Sequence, residues 1–172
     1  MSAPRPLVDE LAREALDRID LPLTIAVAVR DRDARLLDFR LEFANAAAAR
    51  WAGLPRGAMV GRLITDLIPG LRPAGLYDEL VEVVASGRPF RQHRQPYEGN
   101  VEEGRSFAAI FDLLAIRLGD GYLSVWSELP EGTSRIDLEA AAEGAKRVIA
   151  LARPEAGSKP STGPRLETRP AT

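Results

Sequence analysis

Five stretches of this chain read as β-strands, yet all the helix-forming sequence between them falls in one block, residues 46–86. Parallel neighbours must be joined by a crossover, usually a helix, whereas antiparallel neighbours need only a turn. One block supplies one crossover. The order of two strands, a helical block and three strands therefore predicts an α+β fold. Its sheet is five-stranded and antiparallel, with short helices inserted between strands 2 and 3.

The strand patterns assign places in that sheet. Residues 23–29 are continuously apolar and β-branched, as suits a central strand covered on both faces. After the turn residues Asp31-Arg32-Asp33, Leu37, Phe39, Leu41 and Phe43 alternate with Asp38, Arg40 and Glu42, the period of a half-exposed strand. Residues 90–97 hold Arg91, Gln92, His93, Arg94 and Gln95, and Pro96 denies them a central position, so they are expected at an edge. Residues 107–118 are apolar on both faces and are predicted as a long interior strand. Gly119-Asp120-Gly121 then turns the chain into a last strand, 122–126.

Helix signals are equally local. Val8, Leu11, Ala12, Ala15 and Ile19 recur at spacings of three and four opposite Asp9, Glu10, Arg13, Glu14 and Arg18, which predicts a short amphipathic helix over 7–19, ended by Pro22. Asn45 stands directly before Ala46-Ala47-Ala48-Ala49-Arg50-Trp51-Ala52-Gly53. Its side-chain oxygen can accept from an orphan amide at a helix start, and Gly53 suits a left-handed stop. Leu76, Leu80, Val83 and Val84 share one side of a longer helix over 76–85. Ser134 and Asp137 have the spacing of a capping pair for a final helix, 134–152, along which Leu138, Ala141, Ala145, Val148 and Ala152 repeat. The expected organisation is an N-terminal flanking helix (1–21, its first six residues Pro-rich and loose), a central domain (22–131), a C-terminal helix (132–153) and a Pro-rich disordered tail (154–172).

Composition removes whole classes of chemistry. No cysteine is present among the 172 residues, so disulfides, thiolate zinc, iron–sulfur clusters and a cysteine nucleophile are excluded. A single histidine, His93, rules out a multi-histidine metal site, and no metal is expected. The 23 basic and 25 acidic residues leave a net charge of −2, which gives no overall pull toward nucleic acid or an anionic membrane. No apolar run approaches the roughly 20 residues of a membrane helix, and residues 1–14 contain no apolar secretory segment. A cytoplasmic location is expected, with no nucleic-acid or membrane partner.

Residues 23–131 resemble a PAS domain, a sensory and interaction module of bacterial signalling proteins. The resemblance runs through Phe39-Arg40-Leu41-Glu42-Phe43-Ala44-Asn45 and the alanines after it, Gly53-Leu54-Pro55, Gly61, Asp66-Leu67-Ile68-Pro69 and the closing hairpin at Gly119-Asp120-Gly121. It implies a PAS-like sheet and a small cavity between sheet and helices, here walled by Trp51, Leu80, Val84, Phe107 and Phe111, although the same side chains would also serve as ordinary core. It further implies a non-catalytic sensor or protein-interaction module whose flanking helices form a homodimer through Val8, Leu11, Ala15, Leu138, Ala145 and Val148. The competing arrangement lays those helices over their own sheet. Glu128-Leu129-Pro130 occupy the place where the family often carries an acid-apolar-hydroxyl step out of the last strand; here Pro130 replaces the hydroxyl.

Within that resemblance, a cysteine-linked flavin or chromophore is excluded and haem is not expected, because His93 lies past the long helix. Non-covalent flavin, for which Asn45 and Trp51 offer polar groups, or a small metabolite is left open. Arg88, Arg91 and Arg94 read either as an anion clamp or as the charge that keeps an edge strand from pairing. No kinase, cyclase or phosphatase fits in the chain, so output is expected on an unidentified signalling or regulatory protein, or elsewhere in a longer chain. The alternative is a small cone-shaped α+β isomerase or hydrolase using a pocket carboxylate. Asp112 is its candidate base, expected on the face opposite Phe107 and Phe111 and without a histidine beside it.

Overall fold

A computed structural model describes residues 8–129 and 137–151. The Pro-rich start, Pro130, Ser134 and the tail 154–172 lie outside the described residues. Helix α1 (Glu10–Asp17) leads into strands β1 (Leu23–Arg30) and β2 (Leu36–Ala44). Three helices, α2 (Ala46–Ala52), α3 (Ile64–Leu67) and α4 (Leu76–Ser86), follow with two 3-10 turns among them. Then come β3 (Phe90–Asn100), β4 (Ser106–Arg117), β5 (Gly121–Leu129) and α5 (Leu138–Leu151). The strands form one antiparallel sheet in the order β2-β1-β5-β4-β3. The first and last strands meet at its centre, and the middle helices cross from one edge to the other.

Each central strand serves two cores, because successive side chains point to opposite faces. Along β5, Tyr122, Ser124 and Trp126 face α2–α4, while Leu123 and Val125 face α1 and α5. Along β4, Phe111 and Ala115 take the first side and Leu114 and Ile116 the second. The apolar-on-both-faces pattern of this region is thereby explained.

Strand β2 departs from the expected simple alternation. Ala26 pairs with Leu41 and Ile25 with Phe43, so Glu42 is an extra residue that bulges the strand. Phe39 and Leu41 therefore enter the inner core, but Phe43 points to the outer one. A second irregularity leaves Leu37 53% exposed. Both sheet edges are protected. Backbone bonds from Leu41 to Arg62 and Gly61 cover β2. On β3, Gln92 and Gln95 flank a bulge in which Arg94 adopts φ 51°.

Flanking helices α1 and α5 lie across the outer face of their own sheet. Val8, Ala12 and Leu16 of the N-terminal segment, with Leu138, Ala142, Ala145 and Ile149 of α5, bury themselves against Leu23, Ile25, Leu114, Leu123 and Val125. Val8, Leu138 and Ala145, expected at a dimer surface, are thus buried within one chain, in the competing arrangement. Their side chains are already removed from water within one chain, because the outer face of the central strands is apolar and needs a cover. Ala15 and Val148 are partly buried, and Leu11 remains 72% exposed.

Asn45 fastens these parts together. As expected it caps α2: its Oδ1 accepts from Ala48 N at 2.9 Å, and Gly53 ends the helix at φ 69°. The same oxygen also accepts from Leu23 N at 3.0 Å. Nδ2 lies within donating distance of the Leu16, Ile19 and Leu21 carbonyls, at 3.3, 3.2 and 2.9 Å. One fully buried side chain thus serves α1, the link into β1, and α2. Asn45→Ala would orphan two buried N–H groups and remove the donor to three carbonyls, so it is expected to lower stability by about 3 kcal/mol in urea unfolding. Asn45→Asp should also destabilise, because its carboxylate keeps the two acceptor roles but meets three carbonyl oxygens.

Candidate ligand cavity

Between the inner face of the sheet and α2–α4 lies a cavity of about 140 Å³. The local chain explains its walls. Strands β4 and β5 present alternate residues inward, giving Phe107, Phe111 and Leu113 from one and Tyr122, Ser124 and Trp126 from the other. Helix α2 delivers Trp51 and Ala52, and α4 supplies Leu76 and Leu80. The turns around α3 close the far side with Met59, Ile64, Leu67 and Leu71.

Trp51 is the hub of an aromatic cluster. Its ring centroid is 5.1 Å from Phe107, 5.9 Å from Phe111 and 5.3 Å from Trp126, the last two in edge-on geometry. Tyr97 joins through Phe111 at 6.2 Å. The Trp51 indole donates to Glu128 Oε2 at 3.1 Å, and Arg105, which lies 5.1 Å from the Trp51 ring centroid, pairs with the same carboxylate. A polar spot sits on the sheet itself. Thr24 and Ser124, cross-strand partners, share a hydrogen bond of 2.8 Å, and both are buried on the cavity wall.

The structure brings four of the five residues expected around a cavity onto its wall: Trp51, Leu80, Phe107 and Phe111. Val84 is buried in the same core but does not reach the opening, because it sits one helical turn beyond Leu80, past the cavity's end of α4. Trp126, Tyr97, Tyr122, Thr24 and Ser124 escaped the sequence reading. Period-two counting from Phe107 and Phe111 across an antiparallel pair would have reached the β5 residues. Tyr97 was obscured by the polar composition of its edge strand.

Asp112 faces the other side of the sheet, as expected, into a shallow polar cleft beside the start of α5. The expectation that no histidine accompanies it is corrected: His93 Nδ1 lies 2.7 Å from Asp112 Oδ1, and Arg94 N donates to the same oxygen at 2.8 Å. The bulge in β3 causes this, by turning residues 93 and 94 toward β4. The carboxylate is spent on holding the bulge. Arg88 and Arg91 do not converge on an anion site; Arg88 pairs with Glu82, and Arg91 with Glu139 at the start of α5. Among the described residues there is no group of three or more candidate metal ligands, and no helix long and apolar enough to cross a membrane.

A family model described as the PAS fold matches residues 23–109. Solved structures similar to this chain include the LOV protein of Rhodobacter sphaeroides, with a TM-score of 0.55 and 20% identity over 81% of this chain and 80% of that one. The d2 variant of RsLOV gives a TM-score of 0.56 and 20% identity over 83% and 81%. No curated protein matches the sequence.

Burial around the cavity affects all three tyrosines. It pushes the Tyr122 phenol well above its ordinary value of 10.0, with the charge of Asp38 adding to the effect. Tyr77 and Tyr97 are raised too, chiefly by burial. A phenol raised in the folded state contributes stability that is complete below its unfolded pKa and is lost as pH climbs past it. Stability is therefore expected to fall above pH 10, with Tyr122 contributing up to about 1.4 kcal/mol per pH unit. In an alkaline titration, tyrosinate absorbance should rise together with unfolding rather than before it, and Tyr122→Phe should flatten the decline.

Proposed function

The chain belongs to the PAS fold family, and from that premise we propose that it is a non-catalytic sensory and protein-interaction module. A small molecule in the cavity is its input, and the helical layer on the opposite face is its output. The cavity carries this reading: an apolar hollow with few polar groups, set between a rigid sheet and short helices, has the character of a small-molecule site. A guest shifts the module between two arrangements only by binding one better than the other. The partner, a second copy or another signalling protein, docks on the outer helices. Leu11 and Leu151 are the exposed large apolar side chains there, at 72% and 85%, and Ala15 and Val148 lie partly open beside them.

A flavin does not fit these residues. A cavity of about 140 Å³ matches the roughly 150 Å³ that holds one benzene ring, not a three-ring system. No lysine or arginine lines it to meet a phosphate. The two groups that could have served a flavin are engaged, Asn45 with backbone and Trp51 with Glu128. The enzyme alternative gains a histidine beside Asp112, but the pair sits across the sheet from the cavity, and the carboxylate is taken up by the bulge.

Native mass spectrometry of the purified chain, with an absorbance spectrum, tests the proposal. The expected result is a colourless dimer that retains a small molecule or accepts one, seen as added mass lost on gentle activation. A monomer whose melting temperature no small apolar compound raises would overturn it.

A further inference from the structure

A pair of hydroxyls lies on the sheet wall of the cavity. Thr24 Oγ1 and Ser124 Oγ, from partner residues of β1 and β5, are 2.8 Å apart. A hydrogen bond between two hydroxyls uses one of their two protons and one of their four lone pairs. Neither side chain makes another hydrogen bond among the described residues. One O–H and three lone pairs are therefore left over. Both strands are central, paired on either side, and their outer face is sealed by α1 and α5 over Leu23, Ile25, Leu123 and Val125. The 6% and 7% of surface that Thr24 and Ser124 retain belongs to the inner face, where both line the hollow. An O–H in such a place without an acceptor is costly. A guest hydroxyl seated there accepts the spare proton and donates its own to a free lone pair, closing a ring of three hydroxyls.

We infer that the cavity takes a small phenol, one aromatic ring bearing a hydroxyl, whose oxygen seats on the Thr24–Ser124 pair. The inference rests on the proposed role of the cavity as a ligand site and names its ligand class. Three observations define that class. The volume of about 140 Å³ limits the guest to one ring with a small substituent. The rings of Trp51, Phe107 and Phe111, with centroids 5.1 to 5.9 Å apart, line the same hollow and offer edges and faces to an aromatic guest. The hydroxyl pair has both a proton to give and lone pairs to fill, which favours a hydroxyl over a carbonyl. A carbonyl takes the spare proton but has none to return.

Phenol and toluene, nearly equal in shape, make the test, with benzaldehyde as the probe that accepts without donating. In a hollow with no polar contact toluene binds better, because phenol gives up its hydrogen bonds to water on entry. Binding to the whole chain is followed by backbone amide resonances in proton–nitrogen NMR spectra. Phenol is expected to bind at least as tightly as toluene, more tightly than benzaldehyde, and to move the Thr24 and Ser124 resonances further than toluene does. The double variant Thr24→Val, Ser124→Ala removes both hydroxyls together and leaves neither without its partner. In it the ratio of phenol to toluene affinity should fall about tenfold or more. Should that variant not fold, the wild-type preference and the two resonances decide. Toluene binding more tightly than phenol, or a ratio that the double variant leaves unchanged, would overturn the role of the hydroxyl pair but keep the cavity as a ligand site. Benzaldehyde binding as tightly as phenol would overturn the hydroxyl class. Binding of none of the three would remove the ligand site and this inference together.

Discussion

The fold is organised around the side chain of Asn45. An amide offers two donors and two acceptor sites, and burying it without partners is costly. Here its partners come from three segments: the end of α1 with the link after it, the first residue of β1, and the first turn of α2. Asp17 supports the junction from outside, accepting from Ala46 N at 2.9 Å and holding Arg56 at 2.8 Å. Helix α2 carries Trp51, so the amide that anchors the outer helix also fixes one cavity wall. The two layers on opposite faces of the sheet are positioned from a single point.

The sheet between them is two-sided in a strict sense. Along β5 and the second half of β4, inward residues alternate with outward ones that seat α5 or α1, as Leu113 does with Leu114 and Tyr122 with Leu123. A one-residue slip would exchange the two sets, placing Leu123 in the cavity and Tyr122 beneath the helices. Close backbone approach resists such a slip. A Cβ on Gly121 would strike the Ala26 carbonyl and Val27 Cα, so the β1–β5 pairing at the sheet centre admits no side chain there.

Sequence reading recovered the element order and the antiparallel topology because both follow from where helix-forming residues are absent. The capping role of Asn45 and the left-handed Gly53 were legible for the same reason: their chemistry is local. What escaped depends on register. The bulge at Glu42 leaves no mark in the alternation of β2, and it alone sends Phe43 to the outer core. His93 reaches Asp112 through a bulge formed by ordinary polar residues. The flanking helices carried apolar stripes that fit either a second copy or their own sheet. Composition could not choose, because both surfaces are apolar; three-dimensional packing assigns Val8, Leu138 and Ala145 to the sheet. Thr24 and Ser124 were visible as strand residues, but their meeting is set by the register of β1 with β5.

Glu128 gives the hollow an unusually short tether to the chain's onward path. Its carboxylate holds the Trp51 indole on one side and Arg105 on the other, and its backbone is next to last in β5, at the threshold of the run toward α5. Under the proposed role, a Trp51 ring that tilts to admit a guest would pull on that carboxylate at the last pairs of β5 with β4. The wall of the hollow and the end of the last strand are thus one hydrogen bond apart.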